Sequence, residues 1–160
     1  MARQHYIVPQ GNIEDVFTVR LGAGNAVSDN LTSVDSGKAV KLVASDRYDL
    51  CVAGNEIEGF ISSVELAAAG GYSIAGITDE TDIVACTADG LQATPGTGTI
   101  AVGDYVVAGT VTAKGTALTA YPKVCKATAA GNTLNFKWRV VSTGTAGTGA
   151  VGTTIVIKKV

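Results

Sequence analysis

Between Leu134 and Val141, large apolar residues recur at every second position: Leu134, Phe136, Trp138 and Val140 alternate with Asn135, Lys137, Arg139 and Val141. A period of two marks a strand with one buried face, because successive side chains leave a strand on opposite sides. The only tryptophan of the chain therefore points inward. Ser142 to Gly152 is glycine-rich and reads as a mobile loop, and Thr153 to Val160 is a β-branched run that favours a strand. Residues Gly131 to Val160 thus read as a terminal hairpin.

The same pattern extends upstream. Strand-like runs occupy Ile13 to Leu21, Lys38 to Ala44, Leu50 to Ala53, Glu56 to Glu65, Tyr72 to Ile77, Ile83 to Ala88, Thr99 to Ala113, Thr116 to Tyr121 and Lys123 to Thr128, with Pro122 marking a break or an edge. Gly54-Asn55 between two of these runs is a tight-hairpin signal, since glycine reaches positive φ without steric cost. Turn signals recur about every 8 to 12 residues, the spacing of an antiparallel sandwich or barrel. The expected fold is all-β, an antiparallel β-sandwich or barrel with little helix. Residues 1–12 form an extended N-terminal arm and residues 13–160 one β domain, in keeping with a chain of 160 residues.

Several motifs point to chemistry that the context excludes. Gly147, Gly149 and Gly152 spell G-x-G-x-x-G, but a dinucleotide site needs a helix after the glycines and an acidic residue about 20 positions on. Here a strand follows and no acid does. Glu56 and Glu58 are expected side by side on one strand as solvated edge charges, rather than as a pair flanking a substrate. Asp79, Glu80 and Asp82 crowd an acidic turn that lacks the spacing of a calcium loop. Gly37-Lys38 lacks the upstream glycine and the hydroxyl of a phosphate loop.

The single histidine, His5, falls in the arm, so no base stands ready for a nucleophile. Cys51, Cys86 and Cys125 are odd in number and widely spaced, and read as buried free thiols in a reducing compartment. No run is long and apolar enough for a membrane helix, and the N-terminus has no signal-peptide pattern. Neither enzyme activity, nor a cofactor or metal, nor nucleic acid, nor membrane is expected.

Charge is distributed unevenly. The chain is only 16% charged, against a usual value of about 25%, so its surface is built largely from Thr, Ser, Ala, Gly and Asn. From Met1 to Pro122 six basic residues face all 14 acids, a net of -8; from Lys123 to Val160 six basic residues face none, a net of +6. Pairing between neighbouring strands, head-to-tail contact between subunits, or docking on an acidic protein surface would each account for this. The outer face of the terminal hairpin, with Lys137, Arg139, Lys158 and Lys159, is the candidate interface.

In its small-residue, acidic, all-β texture, carried by Gly37 to Val43, Leu50 to Ile61 and Arg139 to Gly152, the chain resembles the capsid decoration (cement) proteins of tailed bacteriophages. The resemblance implies a β-barrel or sandwich that oligomerises, with a homotrimer favoured. Such a protein is made in the host cytoplasm and sits on the outer surface of the virion, where it bridges neighbouring major capsid proteins. It carries over no site residues. A carbohydrate- or receptor-binding β module of a phage tail or bacterial surface is the alternative, and it would call for exposed aromatics on a rim.

Overall fold

The computed structural model describes residues 6–7, 13–14, 16–21, 30–44, 47–66, 73–78, 83–144 and 147–160. The chain is all-β, and among the described residues helical geometry is confined to short 3-10 turns such as Ser33–Asp35 and Gly131–Thr133. Most of the arm expected over residues 1–12 lies outside the described residues. Its described part, Tyr6–Ile7 (β1), pairs antiparallel with Ile13–Glu14 (β2).

The domain expected over residues 13–160 is described as two compact units: Met1–Leu50, Glu58–Thr81 and Thr112–Leu118 form the first, and Cys51–Ile57, Asp82–Val111 and Thr119–Val160 the second. In the first unit Val16–Leu21 (β3), Ala39–Ala44 (β4), Arg47–Leu50 (β5), Gly59–Leu66 (β6) and Ser73–Thr78 (β7) close a barrel in the order β3-β5-β4-β6-β7. Every pairing is antiparallel except β3 with β5, which is parallel. Val40, Ile61, Ala75 and Ile77 point inward at alternate positions and pack with Leu31, Tyr48, Leu50 and Val64.

The Gly54-Asn55 signal forms its turn but not the expected hairpin. Gly54 takes φ +85, Asn55 N–H donates to the Val52 carbonyl at 3.0 Å, and the Asn55 side chain accepts from Val52 N–H at 2.8 Å. The flanking strands nevertheless pair elsewhere: β5 joins β4, and β6 joins β4 and β7. A turn motif fixes local backbone geometry, while the partner of each strand is decided by the buried face it must share.

The second unit contains Val84–Leu91 (β8), Thr94–Pro95 (β9), Thr99–Ile100 (β10), Tyr105–Ala108 (β11), Lys123–Lys126 (β12), Trp138–Ser142 (β13), Gly149–Ala150 (β14) and Thr154–Lys159 (β15). The sheet runs β12-β11-β13-β15-β8-β9, and β12 also pairs with β8, so five of its strands return on themselves as a second closed ring. Trp138, Val106, Val124, Val140, Ile155 and Ile157 are all buried. The terminal hairpin of the sequence is present as β13 and β15, antiparallel, with Val140 opposite Ile157.

The two barrels are one topology used twice. Numbering the five ring strands of each unit in chain order, both close as first-third-second-fourth-fifth, and in both the first and third strands form the parallel pair. Registers coincide as well. Ala39 faces Phe60 and Val40 faces Gly59 in the first barrel, as Tyr105 faces Arg139 and Val106 faces Trp138 in the second. Gly37 (φ +83) donates to the Ile61 carbonyl and Ile61 N–H returns to Lys38; Gly103 (φ +94) donates to Val140 and Val140 returns to Asp104. A register shift falls between Ile61 and Ser63 in one barrel and between Val140 and Ser142 in the other. β-Bulges are placed by specific backbone geometry, so a shared one is a strong mark of equivalence.

The glycine-rich stretch departs from the mobile loop read in the sequence. Gly149 is buried in β14, where Gly149–Ala150 pairs with Thr99–Ile100. A Cβ at Gly149 would stand 2.9 Å from Ile155 Cγ2 and 3.0 Å from the Ile100 carbonyl, so close backbone approach dictates the residue. Gly147 and Gly152, at φ +70 and +86, only turn the chain, and β15 rather than a helix follows. Gly149→Ala is expected to destabilise the protein by about 1–3 kcal/mol through overpacking, read as a lowered denaturant midpoint at unchanged slope.

Candidate interaction surface

Alternation along β13 determines which side chains reach the outside. Trp138 turns inward and its indole N–H donates to the Ile57 carbonyl at 2.9 Å. Arg139 turns outward, and its Nε donates to the Gly103 carbonyl at 3.2 Å. Across the ladder Arg139 stands opposite Lys158, and on the other side opposite Tyr105 of β11. The outer face therefore carries a row Tyr105–Arg139–Lys158, in which Arg139 and Lys158 are exposed and Tyr105 half-buried.

The four basic residues singled out in the sequence are not all on this face. Lys158 and Lys159 are consecutive in a strand and must leave it on opposite sides. Lys159 stands opposite Trp138, with its ammonium 5.8 Å from the centroid of the Phe136 ring, a cation–π contact. Lys137 is half-buried just before β13, and its carbonyl accepts from Val160 N–H at 2.8 Å. Two other basic residues of the C-terminal segment are engaged within their own unit: Lys123 pairs with Asp89 at 3.5 Å and Lys126 with Asp104 at 2.9 Å.

Two buried carboxylates went unnoticed in the sequence. Asp35 and Lys38 of the first barrel are both buried, with Nζ 2.6 Å from Oδ1. Asp35 also accepts from Thr32 N–H and Gly115 N–H, each at 2.9 Å, while Lys38 donates to the Ala113 carbonyl at 2.8 Å. Burial alone would push the Asp35 carboxyl up. The Lys38 ammonium and the two amides outweigh it and hold the carboxyl below its ordinary range.

Asp89 is arranged in a similar way in the second unit. Burial pushes its carboxyl up, but Thr110 N–H at 2.7 Å and the nearby Lys123 charge bring it below the usual value. Their acceptor sites are taken up by backbone amides and ammonium groups, which suits them to holding loops in place.

Glu56, read as a solvated strand charge beside Glu58, instead accepts from Asn135 N–H at 2.8 Å and Phe136 N–H at 2.9 Å. The two amides approach β13 outside any ladder, and a carboxylate can accept from both.

Cys51, Cys86 and Cys125 are free and buried as expected. Burial pushes the Cys86 thiol strongly up, and burial with the neighbouring Asp89 charge pushes Cys125 up to about 11, so both stay protonated and poorly nucleophilic at neutral pH. The acidic turn Asp79-Glu80-Thr81-Asp82 and His5 lie outside the described residues. Among the described residues no group of three or more His, Cys, Asp or Glu side chains could hold a metal ion, and no helix is long and apolar enough to cross a membrane. No family model matches the chain, and neither a curated protein nor a solved structure matches it significantly.

Proposed function

We propose that this chain is a structural virion protein that binds the outside of a phage head and stabilises it by bridging major capsid subunits. The observation that carries the reading is the exposed Arg139–Lys158 pair on a closed barrel. Arg139 and Lys158 put two like charges directly opposite one another on a strand pair, in itself an unfavourable cross-strand contact. They become favourable once an acidic protein surface covers them. A barrel has no open sheet edge, so its outer face can meet other protein without promiscuous strand addition.

The sequence texture shared with decoration proteins supports the same reading. A homotrimer would repeat each modest contact by symmetry and turn weak contacts into firm attachment. Lys137, half-buried just before β13, is the further basic candidate beside this pair, whereas Lys159 leaves β15 on the side away from Lys158 and lies over the Phe136 ring.

Purified protein should add stoichiometrically to undecorated heads. Lys137→Glu with Arg139→Glu should weaken that addition about ten- to hundredfold at low ionic strength and less at high salt, where surface charges are screened. Binding that is unchanged at both ionic strengths overturns the electrostatic attachment. A monomer indifferent to heads would favour the carbohydrate- or receptor-binding alternative.

A further inference from the structure

The first barrel closes as a ring, but β4 runs past it. The ladder of β4 with β6 covers only Ala39 and Val40, while Lys41 and Leu42 continue along β5. Backbone N–H and C=O groups of successive strand residues turn to opposite neighbours. Ile61 N–H donates to the Lys38 carbonyl and Glu58 N–H to the Val40 carbonyl, so the N–H and C=O of Leu42 face the β6 side too. Among the described residues no partner strand meets them there. In the second barrel the same position is filled. By the shared register Leu42 corresponds to Ala108 and Val43 to Gly109. Ala108 N–H donates to the Asn55 carbonyl at 2.9 Å, and Gly54 N–H donates to the Ala108 carbonyl at 2.8 Å, so the Cys51–Ile57 segment supplies there what β13 does not. Ala108 and Gly109 are buried, whereas Leu42 and Val43 are 44% and 42% exposed.

We propose that the Leu42 edge of β4 is an acceptor site for a backbone segment of a major capsid subunit, bound there as Gly54–Asn55 is bound at Ala108. Strand addition draws affinity from main-chain bonds and specificity from the side chains beside them. Leu42 and Val43 offer apolar side chains and no charge, the usual guard of a sheet edge. The bulge between Leu42 and Ala44 ends the ladder at once, so one segment can dock but a sheet cannot propagate. The size of the site decides against a second copy as its occupant. Two hydrogen bonds beside two half-exposed side chains fall well short of the roughly 1,000 Å² that a stable pair of free copies buries. Such a contact holds only where many are made together, and a head presents the same segment at every subunit.

The identity of the partner rests on the function proposed above, whereas the site itself follows from the repeat. Amide hydrogen exchange at Leu42 should slow about tenfold or more when the full chain adds to undecorated heads. Leu42→Pro removes the donor from an amide that meets no partner strand, and Val43→Lys places a charge on the edge. Each should raise the dissociation constant for heads about tenfold, with unfolding midpoints near that of the wild type. Val52→Lys, the same change of charge at an exposed valine of the second unit, should leave that constant unmoved. Wild-type protein that does not add to heads overturns both readings. Addition with exchange at Leu42 unslowed, with both β4 variants at full affinity, or weakened equally by Val52→Lys overturns this one alone. So does a dimer of the free chain that Val43→Lys dissolves, since a second copy is then the occupant.

Discussion

Asp35→Asn should cost about 3–5 kcal/mol of folding stability, the scale expected when one partner of a buried ion pair is removed and the other charge stays behind. Lys38 is 2% exposed, and without the carboxylate 2.6 Å away its buried ammonium loses its counter-charge and is left with neutral acceptors such as the Ala113 carbonyl. Gly115 N–H and Thr32 N–H sit on different carboxylate oxygens, and the single oxygen of an asparagine can serve only one of those two positions, leaving the other amide against an NH2 group. The double variant Asp35→Leu with Lys38→Met should recover the part of the loss that comes from the orphaned charge, because two apolar groups leave no buried ion behind, while the Thr32 and Gly115 amides still lack their acceptor.

Acid sensitivity supplies an independent check on the same pair. The Asp35 carboxyl is held below its unfolded value of about 3.9, so its contribution is fully present above that value and is lost as pH falls through the lower folded value. Unfolding midpoints measured between about pH 2 and 7 should therefore fall less steeply below about pH 4 in the double variant than in the wild type. Asp89 will retain some acid sensitivity in both, because its carboxyl is depressed as well. Trypsin cleavage at Lys114 should quicken in Asp35→Asn, since the pair holds the flanking Ala113 and Gly115. An Asp35→Asn protein as stable as the wild type would show that the pair contributes nothing net.

The buried pair also shows where sequence reasoning stopped. Alternation was enough to place Trp138 and Val140 inside, and to foresee β13, β15 and an all-β fold, open between sandwich and barrel, because the period-two signal is local and does not say how the sheet closes. Lys38 carried no such signal. A lysine opening a strand is ordinarily exposed, and its burial depends on acceptors from Asp35 and from Ala113, 75 positions along the chain.

The repeat was equally hidden. At the equivalent turn, Ser36-Gly37-Lys38-Ala39-Val40 and Val102-Gly103-Asp104-Tyr105-Val106 share only the glycine and the valine. The glycine is required by its positive φ and the valine by the core. The links between equivalent strands also differ in length, as between β4 and β5 (residues 45–46) and between β11 and β12 (residues 109–122), so no fixed period survives. At the candidate surface, the charge distribution singled out β13 and β15 but grouped Lys159 with Lys158, consecutive residues that leave a strand on opposite sides.

Trp138→Ala should destabilise the protein by about 3–5 kcal/mol, the usual range for deleting a fully buried indole. Nothing in the repeat can stand in for it, because the first barrel has Gly59 at the equivalent position and builds its core from Leu31, Tyr48 and its aliphatic neighbours instead. Trp138→Phe separates packing from hydrogen bonding. It keeps most of the apolar volume but leaves the buried Ile57 carbonyl without the indole donor, at an expected cost of about 1–3 kcal/mol. That bond ties the Cys51–Ile57 segment into the second unit, together with Gly54 N–H to the Ala108 carbonyl at 2.8 Å and the amides held by Glu56. Its loss should loosen the segment before the barrel opens, so thiol-reactive probes should label Cys51 faster in Trp138→Phe than in the wild type under native conditions. Cys86, on a central strand of the same barrel, should label no faster than global unfolding allows. Equal acceleration at both cysteines would mean that the indole supports the barrel as a whole and has no separate part in holding the segment.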